Sequence, residues 1–430
     1  MRITFSHRKS LSIFLTLLFA CVCSCQRDAG VENDSEGYTI IHRVIVQPVD
    51  HADPSGPTLE QQVDILIPEG VSLDAPVFFN FGNETDLTDE YLVKLYRTYG
   101  KENDIIFAQA EHRGYGQSLT NSEDQSAPSY VRIEQALADA HEVVQQLKKE
   151  YTGPWMAAGW SYGGGLIVDY AAKYPEDVTV ILCSSGVVDW PFLDYGYDRQ
   201  VKITLGEACY KRLAKHFRNL EPTELFDENW LERQFLQGTT MGVTQFPNLK
   251  KLKPYFQMLS FLPTGLFMKV LHHMDDIFGD GEAWLYARAS GAKKVGPREI
   301  AEGIHNWHTW RYQMCAEIGG FLTSEQVDGL FTRTRDDFCD ECRTLFGEEP
   351  GAAEGPEWSP REKLETLTVP LVYVTGGMDP WLSVSLEPEY KIHNGKYFFS
   401  PEGRHCPERS DPELARKVMA EMLKYARADR

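Results

Sequence analysis

The sequence predicts an α/β fold in which a mostly parallel sheet is flanked by helices and interrupted by a long helical insertion. Short apolar runs typical of buried strands alternate with helical patterns in the first and last parts of the chain. The stretch 191–360 differs, because it is rich in helix-forming and aromatic residues and has few strand-like runs. We therefore expect a sheet domain built from 38–190 and 361–430, with a helical cap inserted at 191–360.

The predicted elements follow one another in a regular order. Tyr38–Gln47 and Leu59–Pro68 alternate apolar and polar residues, which predicts an antiparallel pair at a sheet edge. Amphipathic helices are predicted around Ile133–Leu147 and Leu414–Leu423. The buried strands predicted after the antiparallel pair are Pro76–Phe81, Ile105–Ala110, Trp155–Ala158, Val178–Cys183, Leu371–Val374 and Lys396–Ser400.

Composition limits the classes of function. The chain has 430 residues, of which 42% are hydrophobic and 25% charged, so we expect a sizeable core and no global disorder. A formal net charge of −20 at pH 7 argues against nucleic acid and anionic membrane surfaces as partners. The sequence suggests no metal and no organic cofactor.

The N-terminus has the pattern of an export signal. Basic residues precede the apolar run Leu11–Ala20, which is too short to span a bilayer as a stable helix. Small residues then precede Cys21 and Cys25, as at the cleavage site of a bacterial lipoprotein. We expect a signal segment at 1–25, a lipid anchor on Cys25 or Cys21, and a polar tether at 26–37. A plain secretory signal is the alternative, and the chain is exported in either case.

The cysteines beyond the signal segment permit disulfides in an exported chain, and their pairing stays open. Cys339 and Cys342 form a C-x-x-C pair without a second pair or matching histidines, which favours a disulfide over a zinc site. Cys183 lies in an apolar strand pattern, so we predict a buried free thiol.

A G-x-S-x-G motif, Gly159–Gly163, lies between a predicted strand and a predicted helix. In the α/β-hydrolase fold this arrangement is the nucleophile elbow, where the sharp turn leaves no room for side chains two residues either side of the serine. The turn would raise the hydroxyl of Ser161 above the sheet, at a helix N-terminus that favours developing negative charge. The alternative is a glycine-rich turn whose serine only caps a helix.

A serine nucleophile needs a base that is itself oriented by an acid, and in this fold the chain order is Ser, acid, His. Asp379 follows one of the late predicted strands, and His405 follows the next, just before the last helix. We therefore predict a Ser161–Asp379–His405 triad. A turn-forming role for Asp379 and a helix-entry role for His405 are the alternatives, and the rival histidines are His112 and His141.

An acyl-transfer site also needs two N–H donors for the oxyanion. We predict that Tyr162, directly after the nucleophile, supplies one of them. The loop after the Pro76–Phe81 strand would supply the other, at Gly82 or Asn83, since a glycine lets the backbone face the substrate carbonyl. A simple turn is the alternative for this loop.

A set of motifs spread over about residues 60–420 resembles those of one family. The segments are Phe79–Glu84, Ala110–Ser118, Ile133–Asp139, Gly159–Gly164, Trp310–Glu317 and Asp379–Trp381. Together they resemble the proline-directed serine peptidases that include lysosomal Pro-Xaa carboxypeptidase, dipeptidyl peptidase II and thymus-specific serine peptidase. Related bacterial secreted prolyl tripeptidyl aminopeptidases share much of this layout. The departures from the family pattern are Gly114, Gln117, Ala316 and the Cys406-Pro407 pair after the histidine.

The resemblance implies an exopeptidase that acts on peptides, cleaves after proline and has the helical insertion as a roof over the site. Release of dipeptides or tripeptides from the amino end is favoured, and a carboxypeptidase is the alternative. The candidate substrate-binding residues are Trp310 and Trp381 for the proline ring, Glu84 and Glu317 for an α-ammonium, and Arg311 or Arg113 for a carboxylate. Each of these can instead belong to the core or to an internal ion pair. A disulfide from Cys315 to Cys339 or Cys342 is also implied.

Two other functional hypotheses are compatible with the same sequence. A capped esterase would need the same triad and oxyanion hole, so the motifs alone do not separate it from a peptidase. A non-catalytic surface lipoprotein that binds peptides is the other reading, although a binder has no need of all three triad residues. A homodimer is left open.

Overall fold

The computed structural model describes part of the chain, which falls into two compact units. The described residues are 37–120, 129–189, 196–221, 253–278, 305–306, 308–319, 330, 335–347 and 358–428, with isolated positions between 229 and 240. One unit holds those of Val31–Pro191, Thr309–Gly320 and Phe346–Arg430, and the other those of Phe192–His308 and Phe321–Leu345. The predicted signal segment, anchor site and most of the tether lie outside the described residues. No helix among the described residues is long and apolar enough to cross a membrane.

The first unit contains an eight-stranded sheet in the order β1-β2-β4-β3-β5-β6-β7-β8. The strands are β1 Tyr38–Pro48, β2 Thr58–Pro68, β3 Val77–Asn80, β4 Ile106–Ala110, β5 Trp155–Trp160, β6 Val180–Ser184, β7 Leu371–Gly376 and β8 Gly395–Ser400. The β1–β2 and β2–β4 pairs are antiparallel and the other neighbours are parallel. The predicted α/β-hydrolase class, with an antiparallel pair at one edge, is confirmed.

Helices surround this sheet. Those of the first unit are α1 Asp89–Leu95, α2 Ile133–Leu147, α3 Tyr162–Lys173, α9 Arg361–Leu364 and α10 Pro412–Ala428. The strands β3, β4, β5 and β6 are buried along their whole length, as expected for a parallel sheet covered on both faces. Full burial explains why these strands are continuous apolar runs, whereas β1 at the sheet edge alternates.

The described residues of the second unit are helical and include no strand. Its helices are α4 Gly196–Leu205, α5 Glu207–Asn219, α6 Lys253–Leu259, α7 Thr264–Phe278 and α8 Arg335–Phe346, the last of which ends at the boundary of the first unit. The predicted bounds of the insertion, 191–360, stay a prediction, because much of that stretch lies outside the described residues.

One segment that the sequence placed in the insertion, Thr309–Gly320, groups with the sheet unit. Gln313, which is fully buried, donates from Nε2 to the hydroxyl of Tyr162 at 2.9 Å. Glu317 accepts the N–H of Ile133, the first residue of α2, at 3.0 Å. Such contacts join residues far apart in the chain, so composition and local pattern could not reveal them.

The structure describes the state of the cysteines beyond residue 36. Cys315 and Cys342 are each engaged in a disulfide, whereas Cys339 is a buried free thiol. The predicted buried free thiol at Cys183 is confirmed, and its Sγ donates to the carbonyl of Gly164 at 2.9 Å.

Candidate active site

Ser161 lies at the turn between β5 and α3 in an unusual backbone conformation. Its φ of 56° and ψ of −124° are rarely adopted by non-glycine residues, and strain of this kind is concentrated at functional sites. A Cβ on Gly159 would overlap the carbonyl of Gly163, and a Cβ on Gly163 would overlap the carbonyl of Gly82. The turn therefore requires both glycines, which is the geometry expected of a nucleophile elbow.

Gly159→Ala is expected to lower the free energy of unfolding by about 3 kcal/mol or more, because the added methyl meets backbone that cannot move alone. Urea denaturation measures the effect. Gly265→Ala is a matched control, since a Cβ at this helical position has nothing within 4 Å. Equal stabilities of the two variants would contradict the tight turn described above.

The predicted acid and base contact one another directly. His405 Nδ1 lies 2.9 Å from Asp379 Oδ2, and both side chains are buried, with exposures of 6% and 0%. The other oxygen of the carboxylate, Oδ1, accepts the N–H of Trp381 at 2.9 Å. Asp379 is thus fixed by the turn that follows it and can hold one tautomer of the imidazole, with the proton on Nδ1.

This tautomer leaves Nε2 of His405 as the basic atom. Nε2 is buried and has no hydrogen-bond partner among the described residues. Burial disfavours the charged imidazolium, but the Asp379 carboxylate and the neighbouring Cys406 outweigh it and raise the pKa of His405 well above its ordinary value. The arrangement stabilises the imidazolium that forms when a base accepts a proton.

The sheet brings the triad positions to one edge. Ser161, Asp379 and His405 follow β5, β7 and β8, which run parallel with β6 between β5 and β7. The carboxyl ends of these strands therefore lie side by side. A Cβ on Gly376, the last residue of β7, would overlap the carbonyls of Gly403 and Arg404, so the loop that carries His405 packs tightly on the strand that carries Asp379.

The predicted oxyanion donors lie next to one another, but only two of the three N–H groups are available. Tyr162 is the first residue of α3, where no acceptor exists within the helix. The N–H of Gly82 donates to Asn80 Oδ1 at 3.2 Å, whereas no acceptor among the described residues takes the N–H of Asn83. Gly82 has a φ of +80°, and a Cβ at this position would lie 2.5 Å from the carbonyl oxygen of Ala110. Its role is therefore to allow this backbone conformation, which other residues could not adopt without strain.

Both rival histidines are bound by other groups of the protein. His112 is buried, donates from Nδ1 to the carbonyl of Arg113 at 2.9 Å, and has a pKa lowered to about 4 by burial. His141 lies on α2 with Nδ1 2.7 Å from the buried carboxylate of Asp177. His112 follows β4, whose carboxyl end lies at the same sheet edge as that of β5, but its Nδ1 is bound to a backbone carbonyl rather than to a carboxylate, and His141 follows no strand.

Arg113, a candidate for binding a substrate carboxylate, is fully committed inside the protein. Its Nε and Nη2 each lie 2.6 Å from a carboxylate oxygen of Asp139, in a pair with no exposed surface. Its Nη1 donates to the carbonyls of Val49 and Tyr130, and Nη2 also donates to that of Pro48. The structure therefore assigns Arg113 to an internal ion pair.

The two candidate glutamates lie close to the phenol of Tyr162. Burial raises the pKa of Tyr162 well above its ordinary value, and the negative charges of Glu317 and Glu84 raise it further. Glu84 is fully buried and directly follows Asn83. Glu317 is half-buried and also accepts the N–H of Ile133, so part of its role is structural.

The remaining candidate residues are buried. Trp310 packs edge-on against the ring of Tyr162, with centroids 5.0 Å apart. Trp381 holds the carboxylate of Asp379 through its backbone N–H. Arg311 is 6% exposed and directs Nη1 to the sulfur of Met314 at 3.6 Å.

One group among the described residues has the donor set of a cation site. Ligand atoms of His42, Asp64 and Asp89 lie within 4.8 Å of one another. Structural roles account for all three, because His42 and Asp64 face each other across β1 and β2, and Asp89 begins α1. We assign no metal to this group.

Comparison with known proteins shows which family this chain resembles. The model of the family described as serine carboxypeptidase S28 matches residues 49–236, which include the elbow at Ser161. Lysosomal Pro-X carboxypeptidase from Bos taurus is 26% identical over 337 residues, which cover 65% of each chain. The chain is therefore similar to serine peptidases of the S28 family.

A bacterial relative is named for a different activity. Prolyl tri/tetrapeptidyl aminopeptidase from Streptomyces mobaraensis is 30% identical over 185 residues, which cover 42% of this chain and 36% of that protein. The matches thus span less than two thirds of the length of the bovine and the Streptomyces relatives. Members of similar sequence are therefore named for attack at either end of a peptide.

Solved structures resemble this chain only distantly. Proline iminopeptidase from Mycobacterium smegmatis superposes with a TM-score of 0.45 and 13% identity, over 90% of this chain and 100% of that one. VinJ superposes with the same TM-score of 0.45 at 12% identity, over 90% of this chain and 98% of that one. The order and direction of the strands, rather than these matches, define the fold.

Sequence reasoning missed residues that shape the candidate site. Asn80 accepts the N–H of Gly82 and so decides which N–H of the oxyanion loop is available. Gln313 accepts from the hydroxyl of Tyr115 and donates to that of Tyr162. The motif around Gln313 was recognised as a segment, but no local signal indicated that its amide joins two tyrosines.

Proposed function

We propose that this chain is an exported serine exopeptidase that cleaves the bond after proline and releases dipeptides or tripeptides from the amino end of peptides. The observation that carries the proposal is the buried His405–Asp379 pair, at 2.9 Å, on the same sheet edge as the strained Ser161. The match of residues 49–236 to the S28 family supports peptide substrates. A carboxypeptidase acting after proline is the second candidate, which the similarity to the bovine Pro-X carboxypeptidase supports.

The proposed reaction uses only residues of this chain. His405 Nε2 accepts the hydroxyl proton as Ser161 Oγ bonds to the carbonyl carbon of the Pro-Xaa bond. The N–H groups of Tyr162 and Asn83 stabilise the oxyanion. Nε2 then returns the proton to the leaving amine, the carbon–nitrogen bond breaks, and an acyl-enzyme remains. Water then attacks the acyl carbon while His405 Nε2 accepts its proton and passes it to Ser161 Oγ. This step releases the proline-terminated product and restores the serine.

The charges around the site favour attack at the amino end. Arg113, one of the two candidates for a carboxylate, spends its donors on Asp139 and on backbone carbonyls. Glu84 and Glu317 instead put negative charge beside Tyr162. A peptide α-ammonium is stabilised by such a field, whereas a terminal carboxylate is repelled.

The test is digestion of synthetic peptides that carry proline at the second, third or penultimate position, followed by mass spectrometry. Wild type and Ser161→Ala are compared side by side. Serine-dependent cleavage after the second or third residue supports the aminopeptidase, and release of only the last residue supports the carboxypeptidase. Ester hydrolysis without cleavage of any peptide would point to an esterase, and inactivity with retained peptide binding to a binding lipoprotein.

Glu84→Gln is expected to weaken binding of the free amino terminus by about 10- to 100-fold, the value of one hydrogen bond to a charged group. The measurement is inhibition by the product peptide Ala-Pro, compared with N-acetyl-Ala-Pro. The variant should lose affinity for the first peptide and keep that for the second. Unchanged discrimination between the two peptides would remove Glu84 from the substrate site.

Export and lipid anchoring belong to the same proposal. The basic start, the short apolar run and the small residues before Cys21 and Cys25 support a lipoprotein of the cell envelope. Incorporation of labelled palmitate, compared between Cys21→Ser and Cys25→Ser, identifies the anchored cysteine. Secretion without incorporation of palmitate would support the export signal and contradict the lipid anchor.

A further inference from the structure

Non-glycine residues with a left-handed backbone are concentrated at one place in the described part of the chain. They are Ser161 at a φ of 56°, Ser185 at 45° and Cys406 at 51°. Ser161 is the proposed nucleophile, Ser185 directly follows β6, and Cys406 directly follows His405. Unfavourable conformations persist only where the surroundings hold them, and they cluster at active sites.

Two of these residues are joined by a hydrogen bond. The N–H of Cys406 donates to Ser185 Oγ at 2.8 Å, across more than two hundred residues of chain. The N–H of Ser185 donates in turn to the carbonyl of Val374 on β7, at 2.7 Å. Ser185 is fully buried, so water does not compete for its hydroxyl. The side chain of Ser185 therefore connects the end of the central sheet to the turn that carries the base.

The position of this bond matters because Cys406 directly follows His405. The ring of His405 is held at Nδ1 by Asp379, while Nε2 has no partner among the described residues. The turn at Cys406 sets the backbone from which the ring projects, so a shift of this turn would redirect Nε2. A base displaced by about 1 Å from its substrate proton typically loses about 100-fold in rate.

We propose that Ser185 is a positioning residue that fixes the direction of the His405 imidazole by holding the backbone of Cys406 in its left-handed turn. The inference rests on the proposed serine-hydrolase function of the site. Ser185 does not contact the reacting atoms and acts through His405. Other hydroxyls of the same strand end do not share this role, because Ser184 Oγ has no hydrogen-bond partner among the described residues.

The test compares Ser185→Ala and Ser185→Gly with the matched control Ser184→Ala. Glycine adopts a positive φ without strain, so Ser185→Gly removes the hydroxyl while keeping the backbone conformation. The readout is saturation kinetics of labelling by a fluorophosphonate, which needs an activated serine but no proline-containing substrate. Failure of the proline specificity would therefore leave this readout intact, whereas a wild type that does not label at all would overturn both proposals.

We expect both Ser185 variants to lower the maximal labelling rate by about 10- to 100-fold, with the half-saturating probe concentration unchanged within about twofold. Ser184→Ala should label at the wild-type rate. Wild-type labelling by Ser185→Gly would overturn the inference, as would an equal loss in Ser184→Ala. Thermal unfolding of Ser185→Gly close to that of wild type, together with slow labelling, would separate positioning from a general loss of stability.

Discussion

Replacement of Ser161 by alanine is expected to lower kcat/KM by about 10⁴- to 10⁶-fold while leaving substrate binding nearly unchanged. The loss is large because the substitution removes the oxygen on which the proposed acyl-enzyme forms. The oxyanion donors and the binding residues stay in place, so some catalysis above the rate in water remains. The change also removes only one oxygen from a buried turn whose glycines are retained, and the fold should therefore persist.

Peptide hydrolysis, fluorophosphonate labelling and circular dichroism together measure this effect. Ser184→Ala is the control, because Ser184 is a buried serine one strand away whose hydroxyl has no partner among the described residues. Retention of more than about 1% of the activity in Ser161→Ala would show that another residue is the nucleophile.

Asp379→Asn is expected to lower kcat/KM by about 10⁴-fold. The carboxylate now accepts from Nδ1 of His405 at 2.9 Å and from the N–H of Trp381. An asparagine amide in its place can present NH₂ to Nδ1 and favour the tautomer with the proton on Nε2. That nitrogen would then be unable to accept the proton of Ser161, and the imidazolium would lose its buried counter-charge.

The same substitution has a predictable pH signature. The attraction of Asp379 raises the pKa of His405, and burial opposes it. Activity requires the neutral imidazole, so it is lost as pH falls through this pKa. Without the carboxylate, the largest of the contributions that raise this pKa is lost, so the pKa falls and the acid limb of the kcat/KM profile moves to lower pH. If the acid limb stays in place and kcat/KM falls by less than about tenfold, the result would falsify the assignment of Asp379 as the orienting acid.

Most of the fold could be predicted because its signals are local. Buried strands such as β4 and β6 are short apolar runs, and β1 alternates because only one of its faces is covered. The elbow could be predicted for the same reason, since the steric demand on Gly159 arises from residues within the turn itself. Asp379 and His405 could be predicted from their order after the last strands.

The fine structure of the site could not be predicted, because it depends on partners that are distant in the chain. Arg113 was a candidate for binding a substrate carboxylate on its chemistry alone, but in the structure its guanidinium pairs with the carboxylate of Asp139. The sequence did not distinguish the N–H groups of Gly82 and Asn83 as oxyanion donors. In the structure the side chain of Asn80 accepts the N–H of Gly82. Local pattern contains no information on which neighbour meets a given donor in the folded chain.

The sequence by itself predicted the α/β class, the glycine-flanked turn at Ser161 and the positions of Asp379 and His405 after late strands, because each depends on neighbouring residues and on the succession of strands. Only the tertiary structure decided that Thr309–Gly320 groups with the sheet unit, that Arg113 is internal, and that Ser185 holds the turn after His405. These outcomes depend on which hydrogen-bonding groups meet when strands far apart in sequence align, and burial then obliges each group to find a partner.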